Sequence, residues 1–295
     1  MLAITGANGH LGRRLITALD GQVPLRALVR SERAALQIRR LALSAPPEVQ
    51  LVDYLNAPSM AAALDGSSAV VHLVGILRES KDNRYHQAHE ESCRVLADAA
   101  ERAGVQRIVY LSILGAAPQA RNACLASRGR AEAMLCRGRV PAVILRVPMV
   151  LGEADHASRA LGRRARRAVS VVFRGSSLEQ PIYAGDVVRA MIAALEVPLD
   201  GPRTLDLAGP ESLSRAELTR RAAAEGGRRT HVVSLPLFLA MGLARVLEMV
   251  SANPPVTRAM LGVLDHDDRI DPAPAAAALG IELTTLAETL RRCLR

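Results

Sequence analysis

The chain has 295 residues, of which 49% are hydrophobic and only 2% aromatic, with no tryptophan. Such a chain can bury a sizeable core without disulfides or metal, built from Leu, Val, Ile and Ala, while nucleic-acid binding on stacked aromatic platforms is disfavoured. Lys+Arg 38 against Asp+Glu 29 leaves +9, nearly all of it arginine because Lys81 is the only lysine; this suits either solvated helix faces or an anionic partner.

In chain order, "MLAITG" predicts a short buried strand and "GHLGRRLITALD" an amphipathic helix. Gly6, Gly9 and Gly12 stand between them in G-x-x-G-x-x-G spacing. Gly6 permits the tight turn, Gly9 lets the backbone approach a pyrophosphate, and Gly12 allows close helix packing, with the helix N-terminus facing the phosphate charge. Because the motif follows a strand and opens a helix, a dinucleotide is the expected partner. Its predicted contacts here are Thr5, Gly6, Asn8, Gly9, His10, Leu11 and Gly12.

The second strand, "VPLRALVR", ends at Arg30, with Arg33 nearby. Sites for NAD carry an acid about here, ~20 residues past the glycines, to bind the ribose 2′-hydroxyl. An arginine instead pairs with a 2′-phosphate, so NADP(H) is favoured over NAD(H). Glu32 is the rival acid, past the strand end, and a solvated Arg30 is the alternative. "VQLVDY" predicts a third strand, after which Asp53 either accepts from the adenine amino group or caps the next turn. "SMAAALDG" predicts a helix. The unbroken apolar run "SAVVHLVG" predicts a fourth strand of the kind parallel sheets bury, with His72, Leu73, Val74 and Gly75 lining the adenine and ribose through their backbone. A long helix is expected over 85–103, a fifth strand at "QRIVYLS", a helix holding "CLASRGRAEAML" and a sixth strand at "PAVILRVPMVLG".

This alternation predicts an α/β doubly wound parallel sheet, a Rossmann fold, over residues 1–152. Residues 153–295 are expected to form a smaller C-terminal lobe, partly interleaved with the sheet unit. There "SRALGRRARRAVS" predicts a basic helix with Arg159, Arg163, Arg164, Arg166 and Arg167, either solvated or meeting phosphate, lipid or a partner. Ser214 is placed to cap "SRAELTRRAAAEGG". "SLPLFLAMGLARVLEMV" packs the lobe's core or lies on a membrane or protein partner. "LDHDDRID" gathers Asp265, His266, Asp267 and Asp268, better read as a solvated turn than a metal site, and no metal is expected. Cys93, Cys124, Cys136 and Cys293 make no C-x-x-C pair, which fits a reducing cytoplasm. No signal peptide and no spanning helix are expected; a peripheral place at a membrane stays open.

These residues together resemble the short-chain dehydrogenase/reductase superfamily in its atypical and extended branches. "HEESCRVLADAAERAGVQRIVYLSILGA" is similar to the superfamily's helix–strand passage, "ILRVPMVLG" to its L-R-P-x-x-V-x-G, and "PIYAGDVVRAMIAAL", with Asp186, to its V-x-V-x-D-V-A-x-A-I element. "LDLAGPESLSRAELTRRAAAEGG", "LPLFLAMGLARVLE" and "PPVTRAMLGVLDHDD" look most like the branch of the nucleotide-binding accessory subunit of respiratory complex I. NmrA-like regulators and type 2 quinone reductases are more distant likenesses.

The resemblance implies a Ser that polarises a carbonyl, a Tyr that moves the proton and a Lys that holds the ribose. Ser112 matches the Ser. The Tyr and Lys positions fall on Cys124 and Arg128, or in the other frame on Ala126 and Arg130. The tyrosines at 54, 85, 110 and 183 have no Lys four residues on, so the dyad is missing from the whole chain. Arg128 is expected to bond the ribose. Cys124 is either an acid whose thiol a neighbouring Arg lowers from ~8.5 or a small apolar-like helix residue. Loss of a positioned proton donor costs roughly 10²–10⁴-fold in rate. The expectation is therefore an NADP(H)-binding protein with weak or no classical dehydrogenase activity. The alternative is an NADPH-dependent oxidoreductase acting on a quinone-like or other apolar acceptor, for which the proton comes from water. A nucleic-acid-binding regulator is a third reading, resting on the charge alone.

Overall fold

The computed structural model describes residues 1–198, 201, 203–250, 257–263 and 267–294. Strand and helix alternate through β1 (Leu2–Thr5), α1 (His10–Ala18), β2 (Leu25–Val29), α2 (Glu32–Arg39), β3 (Glu48–Leu51), α3 (Ala57–Leu64) and β4 (Ala69–His72). A π-helical stretch, His86–Glu91, runs into α4 (Ser92–Arg102), followed by β5 (Arg107–Ile113), α5 (Ala123–Arg137) and β6 (Ala142–Val147). Then come β7 (Val150–Leu151), α6 (His156–Ala165), β8 (Val169–Phe173), β9 (Leu178–Glu179), β10 (Ile182–Tyr183), α7 (Ala184–Ala194) and β11 (Arg203–Asp206). The chain ends with β12 (Leu213–Ser214), α8 (Arg215–Glu225), β13 (His231–Leu235), α9 (Leu237–Val250), α10 (Arg258–Val263), α11 (Ala273–Leu279) and α12 (Leu286–Leu294).

The chain divides into two compact units. The first comprises Met1–Glu79, Asn83–Arg146 and Val188–Leu205; the second comprises Ser80–Asp82, Val147–Val187 and Asp206–Arg295. The division thus falls at Arg146, six residues before the expected boundary, and residues 188–205 return to the first unit.

In the first unit a seven-stranded sheet runs β11-β6-β5-β4-β1-β2-β3. β1 pairs in parallel with β2 and β4, β2 with β3, and β4 with β5. Strand order therefore reverses between β1 and β4, the switch point at whose carboxyl end open α/β sheets bind ligands. β1, β2 and most of β4 are buried, as their apolar runs demand. Leu15 and Ile16 of α1, and Val95, Leu96 and Ala99 of α4, are essentially inaccessible; each large side chain among them contributes about 1.5–3 kcal/mol by burial.

The second unit has three two-stranded ribbons: β7–β10 parallel, β9–β12 antiparallel and β8–β13 parallel. Its core gathers Leu151 and Leu161, Leu218 and Ala222 of α8, and Leu286 and Leu290 of α12. Asp186 anchors the approach to α12 by accepting from Thr284 N and Oγ1, both at 2.7 Å. Ser214 caps α8 as expected, accepting from Glu217 N at 3.2 Å.

Four segments differ from expectation. The sixth strand breaks at Pro148, which lacks the N–H a ladder needs, so β6 and β7 are separate. The long helix opens as a π-helix. The basic helix ends at Ala165, because the β-branched run from Val169 pairs with β13 instead of continuing helical. Asp267 is exposed, as a solvated turn requires, but it is also tethered: it accepts from Ser177 Oγ at 2.9 Å and Leu178 N at 3.0 Å, and pairs with Arg174 at 3.1 Å. Asp265 and His266 lie outside the described residues. Among the described residues no three His, Cys, Asp or Glu gather to hold a metal, and no helix is long and apolar enough to cross a membrane.

Candidate functional site

The glycine loop leaves β1 at the switch point. Gly6 takes φ +65°, open to glycine at no cost, and its carbonyl accepts from Gly9 N at 2.9 Å to close the turn. Gly9 is the N-cap of α1 and offers no side-chain cap, and no acid stands in the first turn. The first N–H groups of the helix therefore keep their hydrogen-bonding capacity and their partial positive charge for an anion. A Cβ on Gly12 would lie 2.5 Å from the Ala7 carbonyl oxygen, so α1 meets the loop only with glycine there.

A cleft of about 240 Å³ opens beside the loop. Gly6, Asn8 and Gly9 form one side, Arg30, Ser31 and Ala34 a second, and Leu73, Val74, Gly75 and Ile76 a third, with Tyr54, Asn83 and Ala88 completing it. Ser31 caps α2, accepting from Ala34 N at 3.3 Å. A second helix N-terminus thus borders the cleft, next to the exposed Arg30. Glu32, the rival acid, meets Arg39 at 3.3 Å on the exposed side of α2.

Several expected contacts stand elsewhere. Thr5, Leu11 and Gly12 support the loop without lining the cleft, and His10 accepts through Nε2 from Arg14 at 3.2 Å. Asp53 is exposed and accepts from Leu55 N at 3.0 Å, the turn-capping alternative. Its neighbour Tyr54 takes the inward place. Its hydroxyl accepts from Gly6 N at 2.9 Å and donates to Leu28 O at 2.7 Å, tying the glycine loop to β2. Burial pushes its phenol up to about 12, despite Gly6 N–H and Arg30, so it stays protonated. His72 does not line the cleft either. It is fully buried, with Nδ1 2.7 Å from Thr5 Oγ1, and burial, with Arg128 adding, pushes it down to about 3, hence neutral.

Behind the cleft wall the expected catalytic positions come together, each engaged. Ser112 is inaccessible and donates to Glu132 Oε1 at 2.5 Å; Glu132 is clasped by Arg146 at 2.6 Å. Cys124 Sγ reaches the Ile76 carbonyl at 3.6 Å and shares a hydrogen bond with the Tyr85 hydroxyl. The thiol is raised, not lowered: burial outweighs the pull of Arg128. Arg128 Nη1 donates to Tyr110 Oη at 2.9 Å and to Leu111 O at 3.0 Å, while its Nε is buried without a partner. The guanidinium lies so close on Gly75 that a Cβ there would sit 1.8 Å from Nη2. Arg130, of the other frame, is spent on Glu90, with both contacts at 2.8 Å. The first frame is therefore the one whose arginine meets the cleft wall.

Sequence reasoning missed Tyr54, Ile76, His89 and Tyr85. His89, turned inward by the π-helix, accepts from Ile76 N at 3.1 Å, and burial followed by Arg128 pushes it down to about 3. Ile76 is thus held at its N–H by His89 and at its carbonyl by Cys124. The strand period was the one signal present: Val52 and Tyr54 share a buried face from which Asp53 is excluded.

The family model described as NAD(P)H-binding matches residues 6–196. The chain belongs to this NAD(P)H-binding family. It is also an atypical member of the short-chain dehydrogenase/reductase superfamily. It is 28% identical over 240 residues to a ceramide reductase of Caulobacter vibrioides, covering 80% of this chain and 74% of that one. It is 24% identical over 301 residues to the mouse mitochondrial NADH dehydrogenase [ubiquinone] 1 alpha subcomplex subunit 9, covering 98% and 79%. Its fold matches that of an NADPH-dependent quinone oxidoreductase from Escherichia coli solved with NADPH, with TM-score 0.76 and 22% identity over 98% of each chain.

Proposed function

We propose that this member of the family binds NADP(H) in preference to NAD(H) and has weak or no classical carbonyl-reducing activity. The observation that carries the second part is that Ser112, the one retained catalytic-type residue, donates its hydroxyl to Glu132, a buried carboxylate paired with the part-exposed Arg146. Preference for the phosphorylated cofactor is supported by Arg30 and the α2 N-terminus at one side of the cleft. The residues fit a dinucleotide: the Gly6–Gly9 loop and the α1 N-terminus would hold the pyrophosphate. Arg30 and Ser31 would hold a 2′-phosphate, and the Leu73–Ile76 backbone would line the nucleoside. Bound there, NADPH supplies a hydride. The chain's own part is to shape the wall through Cys124 and His89 and to keep a cationic field behind it through Arg128.

A second reading, hydride donation to a quinone-like or other apolar acceptor, is favoured by the names of two relatives, a ceramide reductase and a quinone oxidoreductase. Quinone reduction needs no side-chain acid, since solvent protons suffice, whereas ketone reduction without one is slow. The test is purified protein with NADPH, with fluorescence titration for affinity and loss of nicotinamide absorbance for turnover. Micromolar binding with no turnover of aldehydes or ketones is expected. Rapid aldehyde reduction would overturn the first reading, and failure with every quinone would overturn the second.

A further inference from the structure

Parallel strand pairs are ordinarily covered on both faces. Among the described residues the β8–β13 ribbon of the second unit is covered by α8 on one face, and on the other only at its Phe173 end, which packs against Ala240, Ala244 and Leu261. Ser170 and Val172 are buried and α8 packs against both strands. On the other face Val169, Val171 and Val233 are 55%, 49% and 36% exposed. Register sets Val169 opposite His231 and Val171 opposite Val233, so the exposed groups form one block rather than scattered contacts.

The pairing is parallel, so the two segments that enter the strands also lie side by side. His231 N donates to the Ala168 carbonyl at 2.8 Å. These segments carry Arg166 and Arg167 on one strand and Arg228 and Arg229 on the other, all exposed. None of the four is in an ion pair among the described residues. Arg166 caps the C-terminus of α6, and Arg228 follows that of α8, whose carbonyls offset part of the charge, about half a unit per helix. Most of the positive charge remains. Beside these arginines lies a groove of about 560 Å³ whose rim includes Arg166 and Arg228 and whose floor includes Ala222, Leu290 and Leu294.

We propose that the β8–β13 ribbon, with its paired arginines at the entry end, docks on an anionic lipid bilayer. Glu225, at the end of α8, is the one acid that lines the groove beside them; the four guanidinium groups outnumber it and repel one another until a dense negative surface meets them, and a bilayer of anionic headgroups provides it. The valine block then enters the headgroup boundary. A protein partner is the less favoured occupant, since interface cores are depleted of charge.

The test is co-sedimentation of the full chain with vesicles of phosphatidylcholine alone and of phosphatidylcholine mixed with phosphatidylglycerol. Binding to the mixed vesicles only, falling as salt rises, is expected. Each arginine near an anionic surface contributes a factor of about five, so Arg228→Glu with Arg229→Glu lowers the partition at least about 25-fold. The chain has no tryptophan, so Val171→Trp gives an emission signal without background. It should shift to the blue with mixed vesicles, while Leu36→Trp, an exposed site in the first unit, should not. Equal binding by the charge-reversed protein, no binding of mixed vesicles, or a blue shift that appears with self-association in the absence of lipid would each overturn the proposal.

Discussion

At the glycine loop, the first N–H groups of α1 lack a side-chain cap and face a cleft. On the inward face of α5, by contrast, Cys124, Ser127, Arg128 and Glu132 are all hydrogen-bonded within the protein. One region keeps its polar capacity for a ligand; the other, Arg128 Nε apart, has spent it on the fold. Binding survives when backbone geometry does, because N–H groups and helix charge belong to every residue. Chemistry on the substrate needs a side chain whose donor or acceptor is free, and Ser112 gives its hydroxyl to Glu132.

The sharpest way to break this contrast is to cut the Glu132–Arg146 pair. Glu132→Gln removes the carboxylate that holds Ser112 and the part-exposed Arg146 and should cost roughly 1–3 kcal/mol of stability, read as a lower urea midpoint, while NADPH affinity changes less than about twofold. A large loss of affinity at unchanged stability would show that the α5 face serves the nucleotide after all.

Acid should act on the same region. His72 and His89 are neutral in the fold, with values pushed from 6.5 down to about 3. The unfolded chain takes up protons near 6.5 and the folded chain does not, so unfolding is favoured as pH falls. Stability is whole above about pH 7.5 and is lost as pH falls through 6.5 toward 3, by about 2 kcal/mol per histidine at pH 5. Thermal melts from pH 8 to 5 should show this decline, and His72→Asn should reduce it by about half at a fixed cost in stability, His89 keeping the rest. A flat profile for the parent protein would mean that these rings are already charged or already solvated.

The difference between the two regions also governs what could be read in advance. Gly6, Gly9 and Gly12 carry their roles locally, in φ and in the absence of a Cβ, so three letters at fixed spacing sufficed. The place of Arg30, past the end of β2 and beside the cleft, was legible in the same local way. The fate of Ser112 depends on Glu132, which lies across the fold on another element. The inward turn of His89 depends on a π-helix that leaves no periodic mark in a run that otherwise reads as one helix. The start of β8 lies in the run that reads as a basic helix and most of β13 in a stretch with no predicted element, because a parallel pair joins segments far apart in sequence and neither strand alternates cleanly enough to stand by itself.

Cofactor choice tests the binding side. Arg30→Asp should reverse the NADP(H) preference, shifting the ratio of the two affinities by about tenfold or more, since a charge-assisted pair is replaced by repulsion. Unchanged relative affinities in side-by-side titrations would show that Arg30 does not read the 2′-phosphate.

The smallest effect belongs to Cys124, and it decides which side of the contrast that residue is on. As a clamp, the thiol is a weak donor to the Ile76 carbonyl, and a hydroxyl does the same work. Cys124→Ser should then keep NADPH affinity within about threefold, and Cys124→Ala should weaken it slightly more by freeing the Ile76 wall. Stability should change by no more than about 1 kcal/mol in either. As an acid, the thiol would be needed for the reaction and not for binding, and its loss would cost any turnover with a carbonyl acceptor roughly 10²–10⁴-fold at unchanged affinity. Burial already holds the thiol raised and its hydrogen faces a carbonyl of the chain itself. The clamp is therefore the expected answer, with rate and affinity moving together and both moving little.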